Sequence, residues 1–174
     1  GDVAMKQFYM KQKVFSFGEK YNIFDENQNL IYHVKGQVFS IKNKMDMFKD
    51  DQLLYHFERK LFRFLPEYNL FTPDGEVLAT IKKNFTFFGG KLTIHSTFGE
   101  MEVVGQIMQR DFHVTNNGNE VMSIHKKWIS WGDSYEISIM DDQQVAFYVA
   151  LVILIDVIFH QTSSHSSSST HHSH

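Results

Sequence analysis

Short apolar runs alternate with polar turns along most of this chain, and the pattern repeats about every two dozen residues. The repeat is clearest over a longer interval, because residues 13–35 align without a gap on residues 60–82. Self-similarity at a fixed period is typical of architectures built from one recurring supersecondary unit. The units begin at Tyr21, Met45, Tyr68, Leu92, Phe112 and Tyr135.

Each unit is predicted to hold two short strands joined by a polar hairpin turn. The predicted turns are 25–29, 49–52, 72–75, 97–100 and 116–119. The last apolar residue of each unit lies four positions before the next unit, which predicts a tight three-residue connection there. These pairs are Phe17 and Tyr21, Ile41 and Met45, Phe64 and Tyr68, Phe88 and Leu92, Met108 and Phe112, and Trp131 and Tyr135. Adding one strand before Tyr21 and one from Tyr135 to Ile139 gives about twelve strands.

The sixth unit ends differently, in an apolar run from Val145 to Ile155 that continues past Asp156 to Phe159. The run is apolar on every side, so it must be enclosed. It is shorter than the roughly 20 apolar residues that a membrane span requires. Acidic residues before the run suit a helix start. The sequence therefore predicts a buried helix over 143–160 rather than a transmembrane segment.

A β-propeller is the rival fold for repeats near this length. With four strands per blade, twelve strands would give too few blades, and the apolar helix would have no place to be buried. A closed barrel of this size has room for a helix, and closure removes exposed sheet edges. The predicted fold class is mainly β: a single closed antiparallel barrel of about twelve strands that encloses the C-terminal hydrophobic helix.

A chain of 174 residues suits one domain, which we place at residues 5–161. Residues 1–4, before Met5, are expected to be an expression remnant, and the Ser/His segment 162–174 a disordered tail.

The absence of cysteine excludes disulfides and thiolate metal sites. A net charge of -3 without a basic stripe argues against nucleic acid. With no run of signal-peptide character near the start, a cytoplasmic monomer, soluble or peripheral to a membrane, is expected.

Three segments carry a family resemblance: Phe15 to Ile23, Ile124 to Ile137 and the terminal apolar helix. Together they resemble the LURP-one-related proteins, which belong with the tubby C-terminal domain and the phospholipid scramblases. The resemblance implies a tubby-like barrel around a central helix. It also implies binding of anionic phospholipid at a membrane surface, as tubby domains bind phosphoinositides. The chain lacks the cysteines for acylation and the calcium-binding carboxylate loop of scramblases, so lipid scrambling is not implied.

Catalytic and metal-binding motifs are missing from the sequence. The histidines outside the tail show no zinc-type pairing, no Gly-x-Ser-x-Gly occurs, and Gly89-Gly90-Lys91 lacks the Walker spacing. We therefore expect a non-enzymatic binding or scaffold module without metal or cofactor. Two alternatives stay open, a small-molecule enzyme with an unrecognised pocket and a protein–protein interaction domain.

Five positions are candidates for function. Asp156 interrupts the apolar helix, and it is expected to lie near the barrel mouth, hydrated or bonded to a strand-end backbone group, with a functional role as the alternative. Lys82 with Lys83 and Lys126 with Lys127 recur at equivalent positions of two units. Solvated strand ends are the ordinary interpretation of such pairs. The functional one is a low-affinity site for anionic lipid.

Overall fold

The computed structural model describes residues 5–12, 18–37, 43–83, 91–129 and 132–167, which form twelve strands and a C-terminal helix. The strands are β1 Lys6–Gln12, β2 Glu19–Phe24, β3 Leu30–Gly36, β4 Met45–Lys49, β5 Gln52–Arg59, β6 Glu67–Phe71, β7 Val77–Lys82, β8 Lys91–Ser96, β9 Gly99–Gln106, β10 Asp111–Asn116, β11 Asn119–Ile129 and β12 Gly132–Ile139. A 3₁₀ turn, Ile107–Gln109, joins β9 to β10, and the helix α1 spans Val145–Ser167.

Each strand pairs antiparallel with its sequence neighbours, and β1 pairs with β12 to close the barrel. The predicted fold class is thereby confirmed. The repeat is also visible in the register, because a bulge recurs at Ile23/Phe24, Met47/Phe48 and Leu70/Phe71. A β-bulge raises the local twist and bends its strand, so its recurrence gives successive units the same curvature.

The barrel has two rims, defined by the direction of the strands. At the lower rim, even-numbered strands end and α1 begins; at the upper rim, odd-numbered strands end. The predicted turns at 25–29, 49–52, 72–75, 97–100 and 116–119 all lie at the lower rim, as connections between paired strands.

The predicted tight connections at the upper rim are wrong where the structure describes them in full. Residues 60–66 form a seven-residue loop between β5 and β6, so Phe64 lies outside both strands. Met108 lies in the 3₁₀ turn rather than in a strand. The other four predicted connections involve residues in 13–17, 38–42, 84–90 and 130–131, which lie outside the described residues.

The helix α1 fills the barrel, as its apolar circumference predicts. From Phe147 to Phe159 every residue is at most 4 % exposed. Inward-facing strand residues such as Val34, Ile81 and Val114 close around it. The helix begins two residues later than predicted, after an Asx turn in which Gln143 N–H donates to Asp141 Oδ1 (3.0 Å), and it continues to Ser167. In the described part of the chain, no helix is both long and apolar enough to cross a bilayer.

Candidate functional site

The two rims of the barrel carry opposite charge. Of the lysines and arginines in the described ranges, only Lys6 and Lys49 lie at the lower rim. Carboxylates dominate there instead: Asp25, Glu26, Asp50, Asp51, Asp74, Glu76, Glu100, Glu120, Asp141 and Asp142. The remaining described cations lie at or near the upper rim: Lys11, Lys20, Lys35, Lys44, Arg59, Lys60, Arg63, Lys82, Lys83, Lys91, Arg110, Lys126 and Lys127. A net charge of -3 therefore conceals a strong separation of charge between the two ends.

All four lysines of the candidate lipid site lie at or near the upper rim, on two separate strands. Lys82 ends β7, where it is exposed and opposite Glu67. Lys83 follows it and places its Nζ 5.2 Å from the centre of the Phe159 ring, near the upper end of the buried part of α1. Lys126 and Lys127 lie near the end of β11, with strands β8 to β10 between the two pairs. The pairs therefore share a rim without forming one pocket.

Lys127 is engaged on the outer wall of the barrel. Its Nζ lies 2.8 Å from Oε2 of Glu136, a side chain only 4 % exposed, and Tyr9 OH donates to the same oxygen at 3.0 Å. Burial opposes ionisation of Glu136, but the hydrogen bonds from Lys127 and Tyr9 outweigh it and lower the pKa of Glu136. This contact ties the charge of Lys127 to Glu136, whereas the adjacent Lys126 is exposed on the opposite face of the strand.

The loop 60–66, here named the aromatic loop, exposes two aromatic rings at the upper rim. Phe62 is 99 % exposed and Phe64 is 88 % exposed. Phe62 also has φ = +59°, in the left-handed region that residues other than Gly, Asn and Asp seldom adopt. A strained backbone and a fully exposed apolar ring at the same residue both cost free energy, so neither is explained by packing within the barrel.

Hydrogen bonds fix the base of the aromatic loop. Lys60 N–H donates to the Glu67 carbonyl at 2.8 Å, and Lys83 N–H donates to the carbonyl of the buried Pro66 at 3.0 Å. The Glu67 carboxylate also pairs with Lys60 Nζ (3.0 Å) and Arg63 Nε (3.3 Å). Although burial opposes its ionisation, these two cations lower the pKa of Glu67.

A groove runs beside the aromatic loop on the outer surface of β5 and β6. It is lined by three cationic side chains, one carboxylate, one amide and three apolar residues: Arg59, Lys60, Arg63, Glu58, Asn69, Leu61, Phe62 and Phe71. Three cationic side chains and an amide can donate hydrogen bonds to an anionic oxygen, and guanidinium suits phosphate geometry. The three cations outnumber the one carboxylate of the lining, so the groove can accept a phosphate group beside Phe62.

Asp156 lies inside the barrel, below this rim. Its side chain is 3 % exposed and forms a salt bridge with Arg110 through Nε and Oδ1. Tyr21 OH donates to Oδ2 at 2.6 Å, and Arg110 Nη2 is 3.4 Å from the same oxygen. The expectation that Asp156 is hydrated is therefore wrong, because its carboxylate is buried and is bound by the side chains of Arg110 and Tyr21. Burial and the Asp156 charge raise the pKa of Tyr21 well above its ordinary value.

Arg110 reaches Asp156 because of the local backbone after β9. The residue closes the 3₁₀ turn in the left-handed region (φ = +55°), and its N–H donates to the Ile107 carbonyl. Just before that turn, Gly105 has φ = +127°, and a Cβ there would lie 2.7 Å from the Asp111 carbonyl oxygen. Only glycine allows this close approach of β9 and β10. The guanidinium also lies 4.8 Å from the ring centre of Tyr135, a cation–π distance.

A fourth polar cluster surrounds His56 on the outer face of β4 and β5. Nδ1 of His56 is 2.7 Å from Asp46 Oδ1, and Nε2 is 2.9 Å from Glu58 Oε1. Burial opposes the charged ring, but the hydrogen bonds to Glu58 and Asp46 outweigh it and raise the pKa of His56 above 6.5. The protonated ring donates to both carboxylates and neutralises part of their charge. Within the described ranges, no group of three or more His, Cys, Asp or Glu side chains is arranged to hold a metal ion.

The His56 cluster predicts a pH-dependent stability. The pKa of His56 is higher in the folded protein than in the unfolded chain. The stabilisation from this cluster is therefore fully present below the unfolded pKa of 6.5, and it is lost as the pH rises through the folded pKa. For this partly exposed group we expect a loss of about 1 kcal/mol or less. Urea unfolding between about pH 6 and pH 9 should show this loss in the wild type and not in His56→Gln. Parallel stability curves for the two proteins would contradict the assignment.

Sequence reasoning found the four lysines at equivalent positions of two repeat units but missed the residues that make the upper rim distinctive. The sequence predicts a strand that ends at Phe64, because Phe62 and Phe64 continue the repeat of apolar positions. Arg110 and Tyr21 gave no signal as partners of Asp156, because they lie 46 and 135 residues away along the chain. A buried acid in an apolar helix implies a cationic partner, but only the closed barrel identifies which one.

Comparisons with known proteins agree with this architecture. Residues 6–156 match the model of the LURP-one-related family. The chain is 31 % identical to the uncharacterized protein YxjI of Bacillus subtilis over 163 residues, which covers 93 % of this chain and 99 % of YxjI.

The fold is shared with a solved structure. An X-ray structure of a protein from Arabidopsis thaliana matches with a TM-score of 0.65 and 19 % identity, covering 88 % of this chain and 91 % of that protein. At that identity the likeness concerns the fold alone. The family match extends over nearly the whole barrel, from β1 to the Asp156 position of α1, and on that basis the chain belongs to the LURP-one-related family.

Proposed function

We propose that this protein is a non-enzymatic module that binds anionic phospholipid at a membrane surface through its upper rim. The single observation that carries the proposal is the separation of charge between the rims. A barrel with this distribution is attracted to a negative surface in one orientation, upper rim first. The opposite orientation would bring the carboxylates of the lower rim against the lipid phosphates.

The energies involved are sufficient for reversible binding. Each lysine or arginine held near an anionic leaflet contributes about 1 kcal/mol. Several upper-rim cations are also paired with carboxylates, as Lys60 and Arg63 are with Glu67 and Arg110 is with Asp156. Only part of the cationic charge therefore acts on a membrane, and the predicted affinity is modest and sensitive to salt.

The spacing of the cations favours a plane over a small soluble anion. Lys82 and Lys126 are four strand steps apart, and at about 4.8 Å per step this is roughly 20 Å along the wall. That distance exceeds the Debye length of about 8 Å at physiological salt. The two sites therefore cannot act together on one small ligand, but they can both rest on a flat charged surface.

Co-sedimentation with phosphatidylserine vesicles tests the proposal. We expect binding at low salt that falls steeply towards physiological ionic strength and is absent with phosphatidylcholine alone. Replacing Lys82, Lys83, Lys126 and Lys127 by Gln should weaken binding strongly. Because Lys127 is tied to Glu136, Lys127→Gln alone should weaken binding only slightly.

The matched control changes the lower rim instead. Lys6→Gln with Lys49→Gln also removes positive charge, but from the end that faces away from the membrane, so it should leave vesicle binding unchanged. The proposal fails if wild-type protein does not bind phosphatidylserine vesicles at low salt. It also fails if the lower-rim variant loses as much binding as the upper-rim variant.

A further inference from the structure

The aromatic loop combines exposure and backbone strain at the rim proposed to meet the membrane. We infer that Phe62 and Phe64 form a hydrophobic wedge that inserts into the interfacial region of the bilayer and holds the barrel upright on its upper rim. The inference rests on the proposed function and adds to it an apolar contribution to membrane affinity. Its partner is the acyl-chain boundary of a phospholipid membrane.

The conformation of Phe62 is the first argument. A left-handed backbone at a bulky residue persists only where the surrounding structure imposes it, and such outliers cluster at functional positions. Here the strain presents a ring that is 99 % exposed, away from the core that the other apolar residues of the repeat join. Insertion into a bilayer would bury the ring and recover the free energy that exposure costs.

The rigidity of the loop is the second argument. Backbone hydrogen bonds from Lys60 to Glu67 and from Lys83 to Pro66 fix both ends of the loop. The Glu67 carboxylate also forms salt bridges with Lys60 and Arg63. A loop already fixed in its binding conformation loses little entropy when it binds. The backbone that carries the two rings is therefore preorganised for insertion.

Charge complementarity identifies the occupant as a membrane. Arg59, Lys60 and Arg63 line the groove beside Phe62, so they can meet lipid phosphates if the rings enter the acyl boundary. Two further apolar side chains, Trp128 (78 % exposed) and Met108 (46 %), are exposed at the same rim. Aromatic residues flanked by cations are typical of the membrane interface.

Vesicle partitioning of Phe62→Ala/Phe64→Ala tests the wedge. Because burying one aromatic side chain is worth about tenfold or more in affinity, we expect the double variant to bind phosphatidylserine vesicles at least about tenfold more weakly. Both side chains are exposed, so the variant should keep the wild-type melting curve. The matched control is Leu30→Ala/Val77→Ala, which removes exposed apolar side chains from the lower rim and should bind like wild type.

The outcomes separate the wedge from the charge proposal. If wild type binds acidic vesicles and the Phe62→Ala/Phe64→Ala variant binds equally well, the wedge is wrong while the charged rim stands. If wild type does not bind, the proposed function fails and the wedge with it. If wild type instead forms a dimer in gel filtration that the double variant abolishes, the aromatic loop contacts a second copy of this chain and the membrane assignment is overturned.

Discussion

Asp156→Asn is expected to lower the free energy of unfolding by about 3–5 kcal/mol, the usual cost of breaking a buried ion pair by removing one partner. The change leaves the Arg110 guanidinium, whose side chain is only 16 % exposed, without its carboxylate. It also removes the charged acceptor of the Tyr21 hydroxyl. Urea unfolding measured by circular dichroism gives the difference directly.

The control and the double replacement make this result specific. Asp74→Asn is the same chemical change at an exposed turn, and it should alter stability by less than about 0.5 kcal/mol. Arg110→Met/Asp156→Leu removes both charges and should recover much of the loss, because an apolar pair of similar volume is often as stable as an ion pair. A loss below about 1 kcal/mol in Asp156→Asn would mean that Asp156 is hydrated and the buried network does not form in solution.

A chain ending at Asp142 is expected not to fold. About ten apolar side chains of α1 lose their burial, an upper bound of roughly 15–30 kcal/mol at ~1.5–3 kcal/mol each. Typical domains are stable by only about 5–15 kcal/mol. The barrel interior would also become a large apolar void. We expect an insoluble or molten chain that binds a hydrophobic dye and shows no cooperative thermal transition.

A second truncation serves as the control for the loss of the helix. A chain ending at Ser167 keeps all of α1, and its melting temperature should match that of the full chain. The intact protein should also remain soluble without detergent. A soluble chain ending at Asp142 with a sharp melting transition would show that the helix does not hold the barrel together.

The fold was predictable because its two strongest signals are local in sequence. Strand number follows from the repeat, and the position of α1 follows from an apolar run too short to span a membrane. The closed barrel of twelve strands confirms the first, and the burial of Phe147 to Phe159 confirms the second. The recurring bulges that curve the strands were not predicted, although each lies where an aliphatic side chain is followed by Phe.

The upper rim was harder to predict because its features break the repeat that revealed the fold. Phe62 continues the apolar pattern but points to solvent, and nothing in its neighbours along the chain distinguishes it from a core residue. The partners of Asp156 lie 46 and 135 residues away along the chain and are brought to it by closure of the barrel. Long-range pairing of this kind is decided by tertiary structure alone.

Labelling at single cysteines tests most directly whether the upper rim is the membrane-binding surface. The chain contains no cysteine, so Phe62→Cys and Asp74→Cys each provide a unique site for an environment-sensitive fluorophore, one at each rim. On phosphatidylserine vesicles at low salt, the label at position 62 should shift to shorter wavelength and be quenched by nitroxide-bearing lipids. The label at position 74 should keep its aqueous emission. Equal quenching at the two positions, or quenching at position 74 alone, would contradict the account.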